Sequence, residues 1–146
     1  MNAAHAWKSY RQIATQTAPP GQLVLMLYEG GIRCLERALP GFDMDDPAEA
    51  NMLVHNNLQR AQDIIRELNS SLNMQQGGEF ALKMRSLYDY FERRLWESDL
   101  KKDRKGVDEV IMHLNKLREA WATMLAGESI PTEAPLTLSS GALAAA

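Results

Sequence analysis

Apolar side chains recur every three or four positions along four stretches of the chain, a spacing that predicts α-helices rather than strands. The predicted helices run from about Pro19 to Leu39, from Asp45 to Met74, from Glu79 to Leu100 and from Lys105 to Ala126. Proline residues open the first two and glycine residues follow the last, as is usual at helix ends. Because the connections are short, the predicted fold is all-α, an antiparallel up-down four-helix bundle.

The first predicted helix is apolar on two of its faces. One stripe consists of Leu23, Met26, Leu27 and Cys34, and the other of Leu25, Tyr28, Ile32 and Leu35. A helix that is apolar on two faces is expected either at the centre of a fold or beneath a bound partner. The sequence leaves both possibilities open.

The third predicted helix contains an unusual concentration of aromatic residues. The stretch SLYDYFERRLWES, residues 86–98, holds four of the ten aromatic side chains of the chain. Tyr88 and Phe91 follow the stripe that faces the core, whereas Tyr90 lies about 200° from Tyr88 around the helix. Trp96 falls toward an edge of the same stripe. We therefore predict that Tyr90 and Trp96 contribute more to partner binding than to folding.

Composition adds limits to this picture. The 146 residues suit a single helical domain at 19–127, with a short N-terminal arm or helix at 1–18 and a low-complexity, disordered tail at 128–146. The net charge of −3 argues against nucleic-acid binding, which needs many cationic contacts. A lone cysteine, Cys34, cannot form an internal disulfide and is compatible with a cytoplasmic protein. Neither a signal peptide nor membrane insertion is expected, since no apolar run is long enough.

The sequence offers no constellation for catalysis. Bundle proteins with di-iron centres use Glu-x-x-His pairs, and none of the three histidines has a glutamate three positions before it. Glu109 precedes His113 by four positions, which provides one pair and not a site. There is also no glycine-rich phosphate loop. We therefore predict a protein that is not an enzyme, with no metal and no cofactor.

Several local patterns occur together in the order and spacing of one family. They are Tyr10, TAPP at 17–20, MLYEG at 26–30, NNLQRAQDIIRELNSSLN at 56–73, GGEFALKMRSLYDYFERRLWES at 77–98 and LREAW at 117–121. Through these patterns, residues 7 to about 125 resemble the FliS family of flagellin-specific export chaperones. The chain departs from the family's usual Ser-Pro-Glu helix start, since it has PPGQ at 19–22.

The resemblance implies a cytosolic helical bundle that is not an enzyme. It would bind the disordered C-terminal segment of flagellin in apolar grooves, prevent premature polymerisation, and deliver flagellin to a component of the flagellar type III export gate. The partner-binding groove is expected to involve Leu25, Tyr28, Ile32, Leu35, Tyr90 and Trp96. The N-terminal arm, which would dock at the export gate, is expected to do so through Trp7, Tyr10 and Ile13.

A second class of function stays open at this point. The same surfaces could belong to a dimerising helical-bundle adaptor for an unrelated amphipathic helical partner. The free chaperone is expected to be a monomer or a weak dimer, whereas an obligate dimer that hides the groove would favour the adaptor.

Overall fold

The computed structural model describes residues 20–127, and these form four α-helices and one short 3-10 helix. The helices are α1 (Pro20–Ala38), α2 (Pro47–Ser70), α3 (Gly78–Lys101) and α4 (Lys105–Leu125), with the 3-10 turn Leu39–Asp43 after α1. This result confirms the predicted all-α bundle, and no strand occurs between residues 20 and 127. The predicted arm at 1–18 and tail at 128–146 lie outside the described residues.

Neighbouring helices run in opposite directions. His55 on α2 contacts Asp99 on α3, while Asn69 further along α2 contacts Asp89 earlier on α3. The same reversal holds for the other neighbouring pairs. Between α1 with its 3-10 turn and α2, Gly41 lies near Val54 and Gly31 near Ile64; between α1 and α4, Gly31 lies near Leu114 and Gly21 near Leu125. Between α3 and α4, Ser98 lies near Gly106 and Tyr90 near Glu109. The helices thus form a ring in which α1 packs on α2 and α4, and α3 packs on the same two helices.

The ends of the helices follow from the residues placed there. Pro47 opens α2, and the side chain of the preceding Asp46 accepts a hydrogen bond of 3.0 Å from the backbone N–H of Ala48. The Asp103 carboxylate accepts one of 3.0 Å from the backbone N–H of Lys105, at the start of α4. Both acidic residues satisfy N–H groups that the first turn of a helix leaves without a partner.

A pair of buried tyrosines lies in the core, where diagonally opposed helices meet. The hydroxyl groups of Tyr28 on α1 and Tyr88 on α3 are 2.7 Å apart, so one donates a hydrogen bond to the other. Burial raises the pKa of Tyr28 to about 12, and it raises the pKa of Tyr88 well above its ordinary value. Trp121 of α4 packs edge-on against Tyr28 and donates a hydrogen bond of 2.7 Å to the carbonyl of Gly21.

Burial of the second stripe of α1 corrects one expectation about the site. Tyr28, Ile32 and Leu35 are 1%, 5% and 0% exposed, so they belong to the core rather than to the outer surface of the bundle. The physical reason is that α1 lies between α2 and α4 and also reaches Tyr88 of α3, so both of its apolar stripes meet neighbouring helices. The sequence left open whether α1 is central in the fold or lies beneath a bound partner, and the structure shows that it is central.

Candidate partner-binding surface

Leu25, Tyr90 and Trp96, the other three residues predicted to line a partner-binding groove, are accessible but lie apart. Leu25 is partly exposed on α1, one turn after Gly21, which contacts α4. Tyr90 is half-buried where α3 meets α4, and Trp96 is 59% exposed on the side of α3 that faces α2. The structure therefore does not bring the predicted groove residues into one groove, and it distributes them over three faces of the bundle.

An open groove runs between α2 and α3 at the end of the bundle where α3 finishes. We call it the α2–α3 groove; its volume is about 420 Å³. It is lined by His55, Gln59, Gln62, Trp96, Asp99, Leu100 and Lys102. Leu100 is 66% exposed and stands one turn after Trp96, while Met52, which is 64% exposed, stands two turns before Gln59. The α3 side of the groove thus carries two large apolar side chains, whereas the α2 residues that line it are polar.

A polar bridge closes one end of this groove. The guanidinium of Arg66 on α2 lies 2.8 Å from the carboxylate of Glu92 on α3. Beside it, the side-chain amide of Gln62 donates a hydrogen bond of 3.3 Å to the backbone carbonyl of Glu92. These contacts join the two helices across the groove floor, so the open part of the groove begins after Glu92.

A charged cluster stands at the other end. Nδ1 of His55 lies 2.6 Å from Oδ2 of Asp99, and the ammonium of Lys102 donates a hydrogen bond to the other oxygen of the same carboxylate. Burial alone would raise the pKa of Asp99, but the hydrogen bonds from Lys102 and His55 outweigh burial and lower it. The carboxylate is therefore ionised at neutral pH, and the ammonium of Lys102 neutralises it.

Tyr90 belongs to a polar network between α3 and α4. Its hydroxyl donates a hydrogen bond of 2.6 Å to Glu109, and Nε of Arg94 donates one of 2.8 Å to the other oxygen of that carboxylate. His113, one turn along α4, stacks on Phe91 with ring centroids 5.6 Å apart and has Nε2 3.7 Å from Glu109. Tyr90 therefore helps to join α3 to α4, a role that the sequence analysis missed.

The Glu109 network predicts a specific loss of stability in acid. Hydrogen bonds from Tyr90 and Arg94 lower the pKa of Glu109, so its contribution is present above the unfolded-state pKa of about 4.3 and is lost as pH falls further. We expect Glu109→Gln to lose less stability than wild type between about pH 5 and about pH 3. Urea unfolding at both pH values measures this loss.

The matched control for this prediction is Glu119→Gln, also on α4. Glu119 is exposed and forms no ion pair with any residue between 20 and 127. This variant should lose as much stability as wild type over the same pH interval. A Glu109→Gln variant that behaves like this control would show that the network does not contribute to stability.

A second, smaller cleft lies at the opposite end of the bundle, where α1 begins. It has a volume of about 20 Å³ and leads toward the buried tyrosine pair. We call it the end cleft; it is lined by Val24, Tyr28, Leu68, Ser71, Leu72, Phe80, Met84, Tyr88 and Trp121. All but one of these side chains are apolar or aromatic, so the end cleft is a small, mainly apolar opening.

Groups suited to chemistry are sparse in the part of the chain that the structure describes. Residues 20–127 contain no group of three or more histidine, cysteine, aspartate or glutamate residues that could hold a metal ion. Cys34 is buried, and burial raises the pKa of its thiol. None of the helices in this range has the length and apolar content that crossing a membrane requires.

The fold and the accessible surface define a helical-bundle protein with an open groove in which the exposed side chains of Trp96 and Leu100 lie beside paired charges. Comparison with known proteins gives the family: the model for Flagellar protein FliS matches residues 2–128. The chain is 34% identical to the flagellar secretion chaperone FliS of Bacillus subtilis, over 88% of this chain and 92% of that protein. It is 33% identical to the protein of the same name from Salmonella typhimurium, over 83% and 90%.

These matches show that the chain belongs to the FliS family of flagellar secretion chaperones. The resemblance drawn from the sequence is thereby confirmed. FliS is a family of chaperones and not of enzymes.

Proposed function

We propose that this protein is a cytoplasmic export chaperone for flagellin. It binds the disordered C-terminal segment of flagellin, prevents premature polymerisation, and delivers flagellin to the flagellar type III export gate. The observation that carries the proposal is the α2–α3 groove, where Trp96 and Leu100 are 59% and 66% exposed in a member of a secretion-chaperone family. Such side chains commonly mark surfaces that bind other proteins.

The distribution of accessible residues favours a partner that wraps around the bundle. Leu25, Tyr90 and Trp96 lie on three different faces, so one partner can reach all three only by passing around the outside. A disordered segment can do this, whereas a rigid globular partner would reach one face. Folding on binding costs about 2–5 kcal/mol or more, which a large contact area can offset.

We propose that the N-terminal arm docks at one end of the bundle. Because α1 starts at Pro20, residues 1–18 join the bundle at the same end as the end cleft. We propose that Trp7, Tyr10 and Ile13 compete for apolar surface at this end in the free protein. Once flagellin displaces the arm, the same residues are available to the export gate.

Inhibition of flagellin polymerisation tests the proposed function. Flagellin from the same bacterium is induced to polymerise with and without an equimolar amount of this protein, and filament formation is followed by light scattering. Full-length flagellin should stay soluble in the presence of the protein. Filaments that form equally well with and without it would refute the proposal.

A variant of the arm should separate binding from delivery. Tyr10→Ala combined with Ile13→Ala should still bind flagellin, because these residues compete with the partner rather than hold it. The variant should export less flagellin, because the export gate loses the contacts it uses. Calorimetry measures binding, and flagellin secreted into the medium measures export. Normal secretion by the variant would show that the arm has no part in delivery, and lost binding would show that the arm holds flagellin.

A further inference from the structure

We propose that two copies of this chain associate through the outer face formed by α1 and α2, where three arginines of each copy meet an acidic turn of the other. The arginine triad consists of Arg33, Arg37 and Arg60. The acidic turn is DMDDPAE, residues 43–49, which contains four acidic side chains and no cation. This self-association goes beyond the proposed function and does not depend on it.

The three arginines come together where α1 packs on α2. Ile64 of α2 lies 3.5 Å from the position that a Cβ atom would take at Gly31 of α1. Because the two helices are antiparallel, Arg60, one turn before Ile64, is level with the α1 position one turn after Gly31. That position lies midway between Arg33 and Arg37, which are themselves one turn apart. The triad therefore forms one patch across the two helices.

The charges of the triad have no carboxylate partner among residues 20–127. Burial raises the pKa of the Cys34 thiol, and the three arginines oppose that shift, as expected of charges that surround it. Arg60 donates a hydrogen bond of 3.3 Å to Oδ1 of the buried Asn57, which orients its guanidinium. Asp63, one turn further along α2, is held by Arg66 at 2.8 Å. The triad is thus available to an anionic partner.

The acidic turn supplies charge of the opposite sign on the same side of the molecule. All of its residues are exposed. Asp45 and Glu49 form no ion pair within the part of the chain that the structure describes, and Asp43 reaches Arg104 only at 3.9 Å. Asp46 accepts a hydrogen bond from the first turn of α2 and keeps its negative charge. A second copy of the chain therefore carries the anions that the triad lacks.

The outer face of α2 is complementary to itself. Glu49, Met52, Asn56 and Arg60 follow one another at spacings of three, four and four residues, which place them on one side of the helix. Glu49 and Arg60 are separated by about 16 Å along the axis. A two-fold rotation about an axis between Met52 and Asn56 brings Glu49 of each copy onto Arg60 of the other. Met52, which is 64% exposed, then lies at the centre and contributes apolar contact.

The same rotation brings the remaining charges together. It sets α1 of the two copies side by side in opposite directions, so Arg37 of one copy approaches Asp43 and Asp45 of the other. Both contacts are used within the pair, so the association closes at two copies. The α2–α3 groove lies on the other flank of α2, where Trp96 and Leu100 stay exposed.

Sedimentation equilibrium of the full chain tests the association. At low salt, and over loading concentrations from about 10 μM to about 1 mM, the average mass should rise from that of one chain toward that of two. Added salt should reverse the rise, because it screens charges at the surface. The mass of a single chain at every concentration in low salt would overturn the proposal.

An exchange of charges tests which residues meet. Arg60→Glu and Glu49→Arg should each weaken association by about 25-fold, because two pairs, each worth up to about fivefold, are lost in either variant. An equimolar mixture of the two variants should associate again, since every Glu then faces an Arg. Lys83→Glu is the control: Lys83 is exposed on α3, has no ion pair within residues 20–127, and undergoes the same change of charge. This variant should associate within about twofold of wild type.

The outcomes that contradict this interface are equally specific. Association that survives both Arg60→Glu and Glu49→Arg would overturn the proposal, because the contact would lie on another face. Two variants that fail to associate even when mixed would overturn the pairing of Glu49 with Arg60. Circular dichroism of each variant shows whether the bundle is still folded, and the mixture tests the pairing with both charges present.

Discussion

Leu35→Ala should lower the free energy of unfolding by about 2–5 kcal/mol, because it deletes a fully buried side chain and leaves a cavity. Leu35 is 0% exposed on α1, in the stripe that sequence reasoning had assigned to a partner-binding groove. Urea unfolding followed by circular dichroism measures the loss. The effect is large because α1 is enclosed by its neighbours, so nothing can move in to fill the space.

The control for Leu35 is the same substitution at a surface position. Leu100→Ala should change the free energy of unfolding by less than about 0.5 kcal/mol, since Leu100 is 66% exposed. If Leu35→Ala proved as mild as this control, Leu35 would not be part of the core and the central position assigned to α1 would be wrong.

Gly106→Ala should destabilise the bundle by about 1–3 kcal/mol or more, because no space exists for a side chain there. A Cβ atom at this position would lie 2.2 Å from Oγ of Ser98 and 2.8 Å from the backbone carbonyl oxygen of Arg94. A carbonyl oxygen of α3 can retreat only if the whole helix shifts. Gly106 therefore allows α3 and α4 to approach closely, and chemical unfolding of the variant measures the cost.

Two further variants define the cause of that cost. Gly31→Ala should be neutral or stabilising by up to about 1 kcal/mol, because its added Cβ would lie 3.5 Å from Ile64 and Leu114, an ordinary contact. Adding Ser98→Ala to Gly106→Ala should restore only part of the stability, since the carbonyl of Arg94 remains in place. Full restoration would show that the hydroxyl of Ser98 alone causes the clash.

The helices were predictable because their signals are local. Apolar periodicity and the capping residues depend on neighbours in sequence, and the observed bounds of α2, Pro47–Ser70, and α4, Lys105–Leu125, lie within a few residues of the prediction. The exposure of Trp96 was also predictable, because its angle from the core stripe is a property of one helix. Its contact with a partner stays a prediction.

The candidate site was harder to predict because it depends on which helices face each other. The periodicity of α1 could not decide whether the stripe with Tyr28 meets a partner or Tyr88, a contact between residues 60 positions apart. Likewise, Tyr90 is off the core stripe, as predicted, but its bond to Glu109 requires knowledge of the register between α3 and α4. Leu100 was missed although it follows Trp96 by one helical turn, a spacing that would have indicated an exposed ridge.

Calorimetric titration of this protein with flagellin from the same bacterium tests the central claim most directly. The titration is made with full-length flagellin and with flagellin that lacks its C-terminal segment, both kept monomeric. We predict a one-to-one complex with full-length flagellin and no detectable binding to the shortened form. Equal affinity for the two forms would contradict the claim that the protein holds the C-terminal segment.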